Sequence, residues 1–210
     1  MTAQEALREG ARRLGVAARE NEIEKLLQYV ALMTKWNKTY NLTAIRDPLE
    51  MVTLHLLDSL AVLPHLPFAA GASIADIGSG GGLPGIPIAI ARPDWQVTVN
   101  DASEKKAAFL RQAAIELGLP NLSVHEGRVE AWKPAKPFSL VISRAFAELA
   151  KFADACRHLL ARDGWLAAMK GAYPGDELSA AGAPASCQVV RLEVPLLSAE
   201  RHLVLCRGNA

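Results

Sequence analysis

The apolar residues of the first third of the chain recur at the spacing of an α-helix. Between residues 22 and 38, positions such as Ile23 and Leu26 follow one another at intervals of three or four. Residues 4–14 have the same kind of pattern, so the sequence predicts two successive helices. We expect these helices to belong to an N-terminal helical cap, assigned to residues 1–72.

This helical pattern is interrupted and then restarts. Residues 36–43 bring amide, hydroxyl and aromatic groups together, which predicts a loop that either hydrogen-bonds locally or meets a polymer. Asp47, followed by Pro48 and by Glu50 three residues after the acid, is typical of a helix start. The new helix is expected to run to about Pro64.

His55 and Asp58 lie three residues apart on one face of this helix. At that spacing an imidazole N–H can reach a carboxylate. We interpret the pair as structural first and functional second.

From residue 73 onwards, short apolar runs alternate with helical stretches. Strands are predicted over residues 74–77, 95–99, 122–125, 138–142, 165–170, 188–194 and 201–206. Helices are predicted between them, over residues 84–91, 103–118 and 148–160. This order predicts an α/β fold, a doubly wound, mostly parallel seven-stranded sheet of the Rossmann-like kind, over residues 73–210. We expect the cap and the sheet to pack as one compact unit.

Three details complete the predicted sheet. Asp163 and Gly164 indicate a turn just before the fifth strand. Residues 172–186 are rich in Ala, Gly, Pro and Ser, which predicts an irregular stretch. The last two strands alternate apolar and polar residues, and we expect them to pair with each other at one edge.

Composition and charge restrict the class of protein. With 210 residues, 50% of them hydrophobic and 21% charged, the chain is in the range of one globular domain. A formal net charge of +1 argues against association with nucleic acid or membranes through total charge, although a local basic face stays possible. The apolar runs are shorter than the ~20 residues of a membrane span. The N-terminus has no basic and apolar signal pattern, so we expect a cytoplasmic protein.

The cysteines and histidines do not have metal-ligand spacing. Cys156, Cys187 and Cys206 are odd in number, which predicts reduced, buried thiols. The five histidines form no zinc pattern either. We therefore expect no metal site.

A glycine-rich segment after the first predicted strand is the strongest candidate for a binding site. Residues 78–82 contain four glycines, and a fifth follows at Gly85. Without Cβ atoms, backbone N–H groups can approach a ligand closely, and the next helix adds its positive end. The segment therefore predicts a pocket for a nucleotide-like molecule.

Further polar residues follow the other predicted strands. Asp101 follows the second strand, residues 126–130 follow the third, and Ser143 and Arg144 follow the fourth. In a doubly wound sheet, ligands bind beyond the carboxyl ends of the strands. All four strand ends are therefore expected to face one crevice.

Two kinds of nucleotide-like ligand are compatible with the sequence, a dinucleotide and S-adenosylmethionine. Residues 80–85 satisfy G-x-G-x-x-G, and Asp101 lies near the distance at which an acid binds a ribose in dinucleotide-binding dehydrogenases. In favour of S-adenosylmethionine, Asp76 at the tip of the first strand would repel a pyrophosphate but attract an ammonium group. The predicted sheet also takes up nearly all of the chain after residue 72, so we expect no second domain for a dehydrogenase substrate.

Several segments together resemble the family of bacterial ribosomal RNA small subunit methyltransferase G, also called glucose-inhibited division protein B. They are residues 35–43 (KWNKTYNLT), His55-x-x-Asp58-Ser59, residues 76–87 (DIGSGGGLPGIP), 143–145 (SRA), 169–171 (MKG) and 200–203 (ERHL). The resemblance extends over almost the full chain. It implies a Rossmann-like class I methyltransferase that uses S-adenosylmethionine to methylate N7 of a guanine in 16S ribosomal RNA.

The resemblance also implies roles for individual residues. It implies cofactor contacts for Gly78, Leu83, Asp101, Val129, Glu130 and Arg144. Among these, Asp101 would hold the ribose hydroxyls, Val129 and Glu130 would flank the adenine, and Arg144 would complete the site. The implied partner is 16S ribosomal RNA or the small ribosomal subunit, and we expect a monomer without a metal.

The implied reaction requires no general base. Guanine N7 has a lone pair and no proton at neutral pH, so we expect in-line attack on the methyl group with catalysis by positioning. Arg144 can donate to guanine O6 or to a phosphate, or it can form a structural ion pair. Two alternatives to this function stay open: an NAD(P)-dependent oxidoreductase, and a noncatalytic RNA-binding module of ribosome assembly.

Overall fold

Seven strands form one sheet in the part of the chain that the computed structural model describes, namely residues 1–16, 19–144, 146, 148–179 and 187–208. The strands are β1 Ser73–Ile77, β2 Gln96–Asp101, β3 Leu122–Glu126, β4 Phe138–Ser143, β5 Leu160–Lys170, β6 Cys187–Arg191 and β7 His202–Arg207. Their order in the sheet is β3-β2-β1-β4-β5-β7-β6. Strands β1 to β5 are parallel, whereas β7 is antiparallel to both β5 and β6. The predicted doubly wound, mostly parallel sheet is confirmed, as is the pairing of its last two strands.

Helices precede the sheet and connect its strands. They are α1 Ala3–Arg13, α2 Glu20–Tyr40, α3 Pro48–Met51, α4 Asp58–Leu60, α5 Gly85–Ala91, α6 Glu104–Glu116, α7 Leu149–Cys156 and α8 Gly175–Ser179. A π-helical segment, Val52–Leu57, joins α3 to α4. Short 3₁₀ turns cover Leu63–His65, Val129–Ala131 and Arg157–Leu159. The predicted N-terminal helices are present.

The loop predicted over residues 36–43 is wrong for its first part, because α2 continues to Tyr40. Asn41 then ends the helix in the left-handed conformation, with φ of 50°. The Asn37 amide bonds to the backbone of Thr43 in both directions, at 2.9 and 3.0 Å. The polar groups that suggested a loop therefore attach the end of the helix to the segment that follows it.

The helix predicted from Asp47 is present, with one irregularity. The Asp47 carboxylate accepts the N–H of Glu50 at 2.9 Å, as expected of an N-cap. The middle of the helix, Val52–Leu57, is π-helical, and no pattern in the sequence predicts this. Single π-helical turns are often found at functional sites.

The fifth strand starts earlier than predicted. Asp163 and Gly164 do not form a turn before the strand, because β5 already begins at Leu160. The register against β4 shifts between Leu160 and Trp165, so the extra residues form an irregularity within a longer strand. Within the predicted irregular stretch, Gly175–Ser179 is helical and residues 180–186 lie outside the described residues.

Two of the three cysteines are bonded to each other, so the prediction of three reduced thiols is wrong. Cys187 and Cys206 are direct partners in the β6–β7 register and form a disulfide, with their Cα atoms 4.1 Å apart. Pairing of adjacent antiparallel strands places the two side chains within bonding distance. Cys156 is a free, buried thiol, and burial raises its pKa to about 12.

The N-terminal helices share one hydrophobic core with the sheet. Leu26 and Met33 of α2 are buried in the same cluster as Ile74 of β1, Ile86 of α5 and Phe109 of α6. A second cluster contains Phe152, Leu159 and other residues of α7 and the segments near it. This packing places α2 beside the glycine-rich segment that follows β1.

Candidate functional site

The carboxyl ends of four neighbouring strands are joined by short hydrogen bonds. The Ser143 hydroxyl, at the end of β4, donates to the Ile77 carbonyl at the end of β1 at 2.7 Å. The Ser79 N–H donates to the Asn100 carbonyl of β2 at 2.9 Å. The N–H of Gly127, just after β3, donates to the Asp101 carbonyl at 3.1 Å. The four strand ends that were predicted to face one crevice thus form a continuous edge of the sheet.

The glycines after β1 have conformations that other residues rarely adopt. Gly78, Gly80 and Gly82 have φ values of 66°, 59° and 92°. A Cβ at Gly82 would collide with the Ile86 side chain, so another residue here would have to displace that side chain as well as adopt the strained φ. A Cβ at Gly80 would meet nothing within 4 Å, so this part of the loop faces open space. Leu83 is buried directly after the loop.

Asp76 is a buried carboxyl group whose two oxygens have different surroundings. Its Oδ2 accepts the Gly85 N–H at 2.7 Å, whereas its buried Oδ1 has no hydrogen-bond partner among the described residues. Burial raises the Asp76 pKa to about 7, and the Gly85 hydrogen bond and the Arg144 charge oppose this rise. The buried hydroxyl of Ser79 also has no partner there. This carboxylate oxygen and this hydroxyl together fit a ligand with a cationic or hydrogen-bonding group.

Asp101 supports the loop in addition to any role with a ligand. One oxygen accepts the Gly80 N–H at 3.0 Å, and the other accepts the Ser103 N–H at 2.9 Å. The Lys106 ammonium lies 3.7 Å from the first oxygen. Because a carboxylate can accept about four hydrogen bonds, Asp101 retains capacity for ligand hydroxyls.

Val129 and Glu130 follow Gly127 in the 3₁₀ turn after β3. The Val129 side chain is buried in the second hydrophobic cluster. The Glu130 side chain is exposed and forms an ion pair with Arg128 at 3.4 Å. The structure therefore places this pair near the end of β3, with one side chain in the core and the other at the surface.

Arg144 forms an ion pair that links the sheet to the helical cap. Its Nη1 lies 3.3 Å from the Asp58 carboxylate and 3.3 Å from the Leu54 carbonyl. Arg201 donates from Nε to the other Asp58 oxygen at 2.9 Å. Of the two roles left open for Arg144, the structural ion pair is therefore present. Ala145, from the same motif, lies outside the described residues.

The expected contact between His55 and Asp58 is replaced by two others. His55 Nε2 lies 2.8 Å from the Thr43 hydroxyl, and Asp58 binds the two arginines. The π-helical segment that contains His55 changes the regular helical spacing on which the prediction depended. Burial, with the Arg144 charge as a second cause, lowers the His55 pKa to about 4, so this imidazole is neutral at pH 7.

A cavity of about 350 Å³ lies around the Asp58 carboxylate. We call it the Asp58 pocket. Its walls include Ile45, Leu54, Met169, Arg144, Lys170 and Arg201. The Lys170 ammonium is paired with Glu177 at 2.8 Å. In the sequence, Asp58 and Arg201 belong to separate motifs, and a separation of 143 residues provides no spacing signal that could join them.

The described residues have neither a metal-binding cluster nor a membrane-spanning helix. They contain no cluster of three or more histidine, cysteine, aspartate or glutamate side chains that could hold a metal ion. None of the described helices is long and apolar enough to cross a membrane.

Comparison with known sequences points to one family. Residues 22–204 match the family model for rRNA small subunit methyltransferase G. The chain is 55% identical over 201 residues to the ribosomal RNA small subunit methyltransferase G of Methylobacillus flagellatus, and this match covers 96% of each chain.

Solved structures with low sequence identity have the same fold. A ribosomal protein L11 methylase from Lactobacillus delbrueckii subsp. bulgaricus matches with a TM-score of 0.56 at 19% identity, over 72% of this chain and 76% of that one. A SAM-dependent methyltransferase from Aquifex aeolicus matches with a TM-score of 0.54 at 20% identity, over 73% of this chain and 91% of that one. The sheet and its flanking helices therefore have the class I methyltransferase architecture.

Proposed function

The chain belongs to the rRNA small subunit methyltransferase G family, and from this we propose that it transfers a methyl group from S-adenosylmethionine to N7 of a guanine in 16S ribosomal RNA. The observation that carries the proposal is the continuous edge of four strand ends around the open glycine loop. The expected substrate is 16S ribosomal RNA, free or in the small ribosomal subunit, and the site of action is the cytoplasm. We expect the enzyme to act as a monomer.

The cofactor site is assigned to the residues of this edge. Its proposed members are Gly78, Leu83, Asp101, Val129, Glu130 and Arg144. The open space beside Gly80 allows close approach of a ligand to the loop backbone, and Asp101 has acceptor capacity for ribose hydroxyls. The exposed side chain of Glu130 supports an adenine contact through the turn's backbone rather than through its carboxylate.

Asp76 favours S-adenosylmethionine over a dinucleotide. Its Oδ1 is buried and has no partner among the described residues, so the negative charge of a pyrophosphate would meet that of the ionised Asp76 with little water to screen it. The ammonium group of a methionine moiety would instead be attracted, directly or through water. The same contact would draw the Asp76 pKa down from about 7 and favour the charged carboxylate.

The chain needs only to position the reactants. When bound, S-adenosylmethionine supplies an electrophilic methyl group: the N7 lone pair forms the new bond, and the electrons of the broken carbon–sulfur bond stay on sulfur. Because N7 has no proton to lose, no side chain has to act as a base. Alignment of reacting atoms contributes about 7–11 kcal/mol in favourable cases. The rigid hydrogen-bonded edge is suited to this task.

A substitution at Gly78 tests the cofactor assignment. Gly78→Asp adds bulk and negative charge at the loop, two residues after Asp76, and should weaken S-adenosylmethionine binding by at least about tenfold. Transfer of labelled methyl into unmodified small subunits should fall with it. Gly118→Asp is the matched control, because Gly118 has a similar φ of 57°, has open space around it and lies just beyond the end of α6.

In both variants, calorimetry measures S-adenosylmethionine binding and a transfer assay measures methylation of the small subunit. Near-normal binding and transfer by Gly78→Asp would contradict the assignment, as would an equal loss in Gly118→Asp. Binding of NADPH but not of S-adenosylmethionine by the unsubstituted protein would favour an oxidoreductase. RNA binding without methyl transfer would favour the noncatalytic assembly module.

A further inference from the structure

The Asp58 pocket is built around one buried carboxylate that holds two arginines. The Asp58 side chain is 3% exposed, and each of its oxygens faces a different guanidinium, at 3.3 Å for Arg144 and 2.9 Å for Arg201. Two positive charges therefore share one negative charge. Lys170 is balanced by Glu177, and His55 is neutral at pH 7. These groups together leave the pocket with an excess positive charge.

Both arginines have a guanidinium nitrogen that is not bonded to Asp58. Among the described residues, Arg144 makes its hydrogen bonds from Nη1, and Arg201 makes its own from Nε and Nη1. Neither Nη2 has an acceptor within that part of the chain. The two side chains are 29% and 23% exposed and both line the pocket, so a ligand in the pocket can contact them. A pair of guanidinium groups fixed in this way suits a phosphate.

Apolar side chains form part of the remaining pocket wall. Ile45, Leu54 and Met169 line it beside the cations, and the volume of about 350 Å³ is within the range of small-molecule sites. A nucleotide combines an anionic phosphate with flat, partly apolar faces on its base and sugar. The chemistry of the pocket therefore matches that of one RNA nucleotide.

The pocket lies next to the proposed cofactor loop. Arg144 directly follows Ser143, whose hydroxyl bonds to Ile77, the residue before Gly78. Lys170 ends β5, which is the neighbour of β4 in the sheet. A nucleotide in the pocket would thus be one or two strands away from the glycine loop.

We propose that the Asp58 pocket binds a backbone phosphate at the acceptor nucleotide of the RNA, with Arg201 as a phosphate-binding residue. This inference rests on the proposed methyltransferase function. A phosphate is favoured over the base edge, because an arginine that bonds to O6 and N7 of guanine would block the nitrogen that must receive the methyl group. Asp58 keeps Arg201 and Arg144 at a fixed separation.

Substitution of Arg201 tests the proposal. Arg201→Gln should raise the KM for unmodified small subunits by about tenfold or more, with a smaller change in kcat and none in S-adenosylmethionine affinity. The slope of log affinity for a 16S rRNA transcript against log salt should become shallower by about one. Arg201→Lys keeps the charge and should preserve the slope while giving an intermediate KM.

Arg191→Gln is the control. Arg191, the last residue of β6, is exposed, and its guanidinium lies 3.6 Å from the exposed Glu193 carboxylate. Its KM and salt slope should stay near those of the unsubstituted protein. The proposal is overturned if Arg201→Gln leaves both quantities unchanged, or if Arg191→Gln alters them equally. If the unsubstituted protein transfers no methyl group, the proposed function fails, and the salt slope of RNA binding still decides whether Arg201 contacts a phosphate.

Discussion

Asp76 is the residue whose protonation should control cofactor binding. Its carboxyl group is fully buried, its Oδ1 has no partner among the described residues, and its pKa is raised to about 7 by burial. The charges of Arg144 and Asp101 act on it in opposite directions. A cationic ligand group requires the ionised form of the carboxyl, which becomes less populated as the pH falls below 7.

We therefore predict that S-adenosylmethionine binds the protein roughly tenfold more weakly at pH 6 than at pH 7.5. The amino group of the ligand stays mostly protonated in this interval, since such groups titrate near pH 8. In Asp76→Asn the amide oxygen can still accept the Gly85 N–H, but the side chain cannot ionise. This variant should therefore bind more weakly at pH 7.5 and show little pH dependence. Calorimetry at several pH values measures both. Equal affinity of the unsubstituted protein at the two pH values would contradict the role of Asp76.

At the scale of elements, α2 supports the glycine loop through one hydrogen bond. The fully buried Tyr29 hydroxyl donates to the Gly81 carbonyl, and Met33 lies near the same glycine. Burial raises the Tyr29 pKa well above its ordinary value, so the hydroxyl keeps its proton. The helical cap therefore helps to fix the conformation of the proposed cofactor loop.

Removal of this hydroxyl should affect both stability and binding. Tyr29→Phe leaves the Gly81 carbonyl without its partner, and we predict a loss of about 1–3 kcal/mol in the free energy of unfolding together with weaker S-adenosylmethionine binding. Tyr40→Phe, at an exposed position of the same helix, is the control and should change neither quantity. Urea denaturation and calorimetry provide the measurements. Unchanged values for Tyr29→Phe would show that the loop keeps its conformation without α2.

Local sequence signals predicted most elements, and contacts between distant segments account for the corrections. The acid and proline at Asp47 marked a helix start because a cap acts within three residues. By contrast, the register that brings Cys187 to Cys206 depends on how two strands pair. The candidate site divides in the same way: the glycine loop was visible in the sequence, whereas the joining of Asp58 to Arg201 depends on the folded chain.

At the scale of the whole molecule, the cap and the sheet should unfold together. Leu26, Tyr29 and Met33 of the cap share one buried cluster with Ile74 and Phe109 of the sheet domain. Separation of the two parts would expose this apolar surface at a cost of roughly 25 cal/mol per Å². We predict a single thermal transition, with circular dichroism and tryptophan fluorescence coinciding, and no stable fold for residues 73–210 alone. Two separate transitions would contradict this.

The identity of the methylated nucleoside tests the central claim most directly. Small ribosomal subunits that lack the modification are incubated with the protein and methyl-labelled S-adenosylmethionine, and deproteinised 16S rRNA is treated in parallel. The RNA is then digested to nucleosides and separated by liquid chromatography with mass detection. The proposed function predicts that all label is recovered as 7-methylguanosine. Label in any other nucleoside, or no label although S-adenosylmethionine binds, would contradict it.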